Sequence, residues 1–198
     1  MQATWPESTY IEGKDDPALL IRAKQRDSAA WSTIYGQHYD GVYRYLFGRL
    51  GAKEDAEDVA SQVFLEALRS IDSFTDRGKP IAAWLFGIAR NLANNQFRSA
   101  NRRRETAGLG EDDDIEDGKA TFGDLKAEAL DLIAGINELT RDQRETVILR
   151  FYVGLSAKEV AFLLDKTEPA VYALQVRAVS ALRRILAADA VAEKREVA

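Results

Sequence analysis

The 198-residue chain contains no cysteine and a single histidine, His38. The first absence excludes disulfides, thiol nucleophiles and thiolate metal sites. The second argues against a histidine-built zinc site and a Ser-His triad. Paired carboxylates flanking a pocket motif and glycine-rich phosphate loops are missing as well, so the sequence predicts no enzyme, no metal site and no cofactor. No run approaches the roughly 18 unbroken apolar residues of a membrane helix. The polar, acid-bearing stretch Met1 to Asp16 does not read as a secretory signal. The expectation is a cytoplasmic protein with no membrane insertion.

Proline is scarce: Pro6, Pro17, Pro80 and Pro169 are the only four, against thirty alanines. Long proline-free interiors rich in alanine predict an all-α chain. The net charge of −5 is unevenly spread, because residues 105–125 alone carry −7 and the blocks on either side are nearly neutral. Bulk charge alone therefore gives the protein no tight hold on nucleic acid.

Residues 1–15 read as a disordered lead-in. Asp16-Pro17 opens a helix with an N-cap and a first-turn proline, and Asp27-Ser28 opens a second through Trp31, Ile34, Tyr35, Val42, Tyr45, Leu46 and Leu50, stopped by Gly51. An acidic first turn, Glu54 to Asp58, starts a third helix, in which Val59, Val63, Ala67 and Ile71 recur every four residues beside Phe64 and Leu68. The polar stretch from Ser73 to Lys79 reads as a loop closed by Pro80. A long helix follows to about Arg104, with Ile81, Trp84, Leu85, Ile88 and Leu92 on its buried face and Arg90, Asn91, Asn94, Asn95 and Arg98 on the other. Basic residues closing that helix suit its dipole as well as a functional role. The acidic segment 105–125 reads as a flexible linker.

The second block has Leu125, Leu132, Ile133, Ile136 and Leu139 as its first apolar set. Thr140–Gln143 is a capping-box start to a helix through Val147, Ile148 and Phe151, ending at Gly154. Ser156–Glu159 is a second capping box. Asp165-Lys166 forms a tight turn, Thr167 caps the next helix, and Val171, Leu174, Ala178 and Leu182 line its inner face. Short helix, turn and longer helix make the layout of a helix-turn-helix, with the small Ala161 where the helices approach. This stretch alone fits DNA binding and a plain helical pair equally well.

The larger pattern is more specific. Leu19 to Lys24, Val42 to Leu46, Asp55 to Leu68 and Ala83 to Ala93 together resemble region 2 of the extracytoplasmic-function (ECF) sigma factors, the compact promoter-specificity subunits of bacterial RNA polymerase. Leu139 to Glu145 followed by Gly154 to Ala161 resembles region 4 of the same family. The resemblance implies two small helical domains, a region 2 bundle over 16–104 and a region 4 helix-turn-helix domain over 126–187. The acidic flexible linker 105–125 joins them, and 188–198 is left as a tail.

It also implies roles. Asp55, Asp58, Ser61, Gln62 and Glu66 match the surface that docks on core RNA polymerase, although many relatives carry Gln-Glu where this chain has Ser61-Gln62. Without the resemblance these residues read as a solvated helix face. Phe74, Thr75, Asp76, Arg77 and Lys79 match the loop that receives a base flipped from the −10 promoter element, and Asn91, Asn94, Asn95 and Arg98 match the surface meeting the unpaired strand. Trp84 falls on the apolar stripe and reads as core. Tyr172, Ala173, Gln175, Val176 and Arg177 match the −35 reader, with Lys158, Arg183 and Arg184 available for phosphates. Many relatives have a basic residue near Tyr172, a histidine near Val176 and a glycine near Asp165. The linker matches the segment that threads the polymerase cleft, and a solubilising spacer would have the same composition. Core RNA polymerase, promoter DNA and an anti-sigma factor are the implied partners. A stand-alone dimeric regulator would need a long heptad seam, and none is visible.

Overall fold

The computed structural model describes the backbone of residues 16–75, 80–106, 132 and 134–196, with side chains except at 99–106 and 188–196. The expected lead-in 1–15, linker residues 107–125, and Asp76, Arg77, Lys79, Leu125 and Ile133 lie outside the described residues.

Among the described residues every regular element is helical. Asp16 accepts a hydrogen bond from the Ala18 amide and opens α1, Pro17–Lys24. Asp27 accepts from the Ala30 amide at 2.7 Å and opens α2, Ser28–Leu50, which Gly51 ends in the left-handed conformation at φ 76°. Helix α3, Lys53–Ser70, has Glu54 and Asp55 in its first turn and runs into a short 3₁₀ turn, Ile71–Ser73. Helix α4 spans Ile81–Thr106. Pro80 lies immediately before it, at the end of the predicted loop.

In the second block the capping box of Thr140 and Gln143 opens α5, Arg141–Val147. The sequence predicted one helix through to Gly154. The structure instead widens the last six residues, Ile148–Val153, into a π turn. The Gly154 amide donates to the Leu149 carbonyl at 3.1 Å, five residues back, and Gly154 sits at φ 92°. The wider turn presents Ile148, Leu149 and Val153 to α2, where all three are buried. Helix α6, Ala157–Leu164, carries the second capping box, and Asp165 closes it at φ 54°. Thr167 Oγ1 then accepts from the Ala170 amide at the start of α7, Glu168–Glu196. That helix runs through most of the stretch set aside as a tail.

The Ser156 cap gives a contained stability prediction. Its hydroxyl accepts from the Glu159 amide at 3.2 Å while the buried Glu159 carboxylate accepts from the Ser156 amide. Ser156→Ala should therefore cost about 0.5–2 kcal/mol. Urea unfolding should show a lower midpoint with an unchanged slope.

Packing joins the two blocks. Leu20, Ile34, Leu46, Val59, Val63, Ile71, Ile81 and Leu85 belong to the same continuous core as Ile148, Leu149, Val153, Leu155, Val160 and Val171. A separate small cluster of Leu139, Val147 and Ala178 sits farther out. Helix α4 buries more than the predicted stripe, since Ala82, Ala83, Phe86, Ala89, Ala93 and Phe97 are also covered and α6 packs against it. Along α2, Tyr35, Tyr39, Tyr43 and Phe47 form a ladder of rings 4.8–6.2 Å apart. Its last rung lies 6.3 Å from Tyr152 of the second block. Gly48 marks the closest approach there: a Cβ at this position would stand 2.9 Å from Ile148 Cγ2 and 3.2 Å from Tyr152 Cδ1.

Candidate functional site

Three surfaces hold the predicted residues. On α3, the buried stripe Val59, Val63, Ala67 forces the intervening positions outward, and Asp55, Asp58, Ser61, Gln62 and Glu66 are all exposed there. The Ser61 hydroxyl is used within the helix, donating to the Glu57 carbonyl at 2.9 Å. Leu65, 47% exposed, sits among them as an apolar centre in an acidic rim. Sequence reasoning missed it. The available signal was an apolar residue off the buried register of its helix.

The second surface is a cleft of about 620 Å³ between the blocks. One wall is built from Phe74, Thr75, Trp84, Asn91 and Asn94, the other from Arg141, Phe162, Leu163 and Leu164. Phe74 is buried, 5.2 Å ring to ring from Trp84, and Thr75 and Asn91 are exposed. Trp84, expected in the core, is half-buried and lines the cleft. Asn94 accepts from Arg49 Nη2 at 3.0 Å, and Asn95, exposed, accepts from Arg98 Nη2 at 2.5 Å. Four of the candidate −10 residues, Phe74, Thr75, Asn91 and Asn94, thus line this cleft, while Asn95 and Arg98 are not among its lining residues.

At the base of the cleft lies a charged network that composition alone could not reveal. The Tyr45 hydroxyl donates to Glu145 at 3.1 and 3.2 Å, and Arg49 Nη1 stands 3.1 Å from Glu145 Oε1. The Arg49 and Glu145 side chains are each only 1% exposed. Arg90 approaches the same oxygen at 3.9 Å from the cleft side. Burial, then the neighbouring Glu145 carboxylate, push the Tyr45 phenol well above its ordinary range, which keeps it a donor at neutral pH. Arg49 also lies 5.3 Å over the Phe97 ring. The hydrogen-bonded groups are a hundred positions apart in sequence, so no local pattern connects them.

The third surface is the outer face of α7. Val171 and Ala178 are fully buried, which turns Tyr172 (52% exposed), Val176 (65% exposed) and Arg177 outward. Ala173 and Gln175 are half-buried, and Gln175 accepts from Arg150 Nε at 3.3 Å. Arg150 also bonds the Leu155 carbonyl and so ties the turn before α6 to α7. Lys158, Arg183 and Arg184 are exposed. Arg144 is structural: buried, it donates to the carbonyls of Ile136, Asn137 and Leu139 and closes the end of the preceding helical segment. His38, half-buried, is pushed down to about 4 by burial and stands apart from all three surfaces.

Comparison with known proteins gives the family of the chain. Residues 34–103 match the Sigma-70 region 2 family model, and residues 129–182 match Sigma-70 region 4. The chain is 34% identical over 189 residues to the ECF RNA polymerase sigma factor SigD of Mycobacterium tuberculosis, covering 89% of this chain and 86% of that protein. It belongs to the ECF sigma factors. It is also 41% identical over 175 residues to the ECF RNA polymerase sigma factor BldN of Streptomyces coelicolor, a match that covers 87% of this sigma factor and 66% of BldN. Among solved structures it is similar to CnrH in complex with the cytosolic domain of CnrY, with a TM-score of 0.64 and 25% identity over 89% of this chain and 99% of that one. The sigma factor is thus all-α, with a region 2 unit and a helix-turn-helix region 4 unit, and it is a transcription-specificity subunit rather than an enzyme.

Proposed function

We propose that this sigma factor docks on core RNA polymerase through the α3 stripe and directs initiation at promoters with two upstream elements. In this reading the outer face of α7 enters the major groove of the −35 duplex, with Tyr172, Val176 and Arg177 toward the bases and Lys158 and Arg184 toward phosphates. The loop 73–79 and Asn91, Asn94, Asn95 and Arg98 engage the −10 strand and help to melt it. Extruding a base costs a few kcal/mol, which loop backbone and polar side chains must recover. The units divide the work as 16–104 and 126–187, and the protein acts in the cytoplasm beside the polymerase.

The observation that supports this best is the segregation of unsatisfied faces. One helix shows an acidic stripe around an apolar centre, and another shows an exposed mixed face behind a helix-turn-helix. The first suits a protein partner and the second a DNA groove. An anti-sigma protein is the expected regulator. The similar protein CnrH was solved in complex with the cytosolic domain of CnrY. Since this chain has no cysteine, any thiol-based sensing would reside in that partner.

The deciding experiment is transcription in vitro from a promoter library by core polymerase, with and without the protein, followed by sequencing of transcript 5′ ends. The protein should add start sites that share two upstream motifs at constant spacing. Identical start sites in both reactions would overturn the reading.

A further inference from the structure

Given the −35 role proposed above, on which the inference rests, we propose that α7 selects its −35 element through the methyl groups of thymine. Val176 and Tyr172 are the specificity-determining residues that read them.

Two observations converge. The first is an apolar strip. Pro169, Tyr172 and Val176 are all exposed and recur at spacings of three and four, so they share the outward side of the first turns of α7. Val176, at 65%, is the most exposed large apolar side chain among the described residues, and Tyr172 is 52% exposed. The second is how little hydrogen-bonding capacity stands beside the strip. Gln175 is half-buried, and its side-chain oxygen accepts from Arg150 Nε at 3.3 Å. Arg150 also bonds the Leu155 carbonyl, so Gln175 braces α7 against the turn before α6. While that bond holds, Gln175 lacks the paired amide contacts that read adenine. The exposed cations Lys158, Arg183 and Arg184 stand on α6 and on later turns of α7, where they suit phosphates.

The major groove offers hydrogen-bonding edges at every base pair but only one apolar group, the C5 methyl of thymine. An apolar side chain laid against any other edge leaves a donor or acceptor unpaired, whereas against the methyl it gains burial. The spacing fits as well. Four residues of helix advance about 6 Å, close to two base-pair steps of about 3.4 Å. The preferred −35 element should therefore carry two thymines, on either strand, about two base pairs apart.

The test replaces each thymine of the selected −35 element with deoxyuridine, which lacks only that methyl. Initiation by core polymerase with the full-length protein is then measured at subsaturating holoenzyme. Two positions should lose about three- to fivefold each, the worth of one buried methyl. Val176→Ala should lower initiation on the thymine promoter by a similar factor and erase the deoxyuridine effect at one of those positions. Tyr172→Ala should erase it at the other. Both side chains are exposed, and a folding defect would lower activity on thymine and deoxyuridine promoters alike. Equal initiation on the two promoters at every position would overturn the inference, as would an undiminished deoxyuridine loss in Val176→Ala. Start sites that share no −35 motif in the promoter library would overturn the proposed function and this inference with it. A clear motif without methyl dependence would overturn the inference alone.

Discussion

Replacing Glu145 with leucine should lower the stability of the folded chain by about 3–5 kcal/mol. In thermal unfolding this is a fall in midpoint of roughly 6–20 °C. The carboxylate accepts from Tyr45 and pairs with Arg49 at 3.1 Å, and both charged side chains are almost wholly out of water. Leucine fills the volume but takes the Glu145 carboxylate away from the buried Arg49 guanidinium. The Asn94 amide oxygen and the Phe97 ring, which also meet Arg49, do not replace a full negative charge. Separation of the two units, which would expose Arg49 to water, forfeits the burial of Ile148, Leu149 and Val153. Arg49→Met combined with Glu145→Leu should recover much of the loss, because the pair's desolvation cost disappears together with its attraction. A single variant with the parental midpoint would mean that Arg49 is already hydrated.

Leu85→Ala should cost about 2–5 kcal/mol. Leu85 is fully buried on α4, and its loss leaves a cavity between helices that several large side chains prevent from collapsing. The core it belongs to continues into the second unit, so the damage should not stay local. Far-ultraviolet circular dichroism reports all helices, whereas in a Trp5→Phe background tryptophan emission comes from Trp31 and Trp84 of the first unit alone. The two probes should show coincident transitions, both shifted down together. A biphasic transition in which only the first phase moves would contradict a shared core.

Much of the fold was legible because its signals are local. Asp16, Asp27, Gly51, Thr140, Ser156 and Thr167 do at their positions what capping chemistry demands, and Val59, Val63 and Ala67 repeat at the spacing a buried helix face requires. The α3 stripe and the exposed part of α7 follow from the same periodicity: once the buried face is known, the opposite face is determined. The cleft was not legible. Its walls meet only through contacts between units, and Tyr45 and Glu145 form their hydrogen bonds across a hundred intervening positions. Trp84 packs against the core as its helical phase predicts, and phase alone does not show that its other side lines an opening. The π turn escaped for a different reason. Its residues are as apolar as any helix interior, and only the left-handed Gly154 after it hints that the ladder changes.

That widened turn also governs where the chain points when it leaves. Each residue of an α-helix advances the exit direction by about 100° around the axis. A ring that accommodates one extra residue therefore re-aims everything beyond Gly154 by a fraction of a revolution, without moving Glu145 or the side chains ahead of it. Part of the grip on the first unit, through Ile148, Leu149 and Val153, lies in this six-residue joint, and the heading of the helices beyond it is set there too. Insertion or deletion of one residue there would therefore disturb both the contacts with α2 and the direction in which α6 and α7 leave.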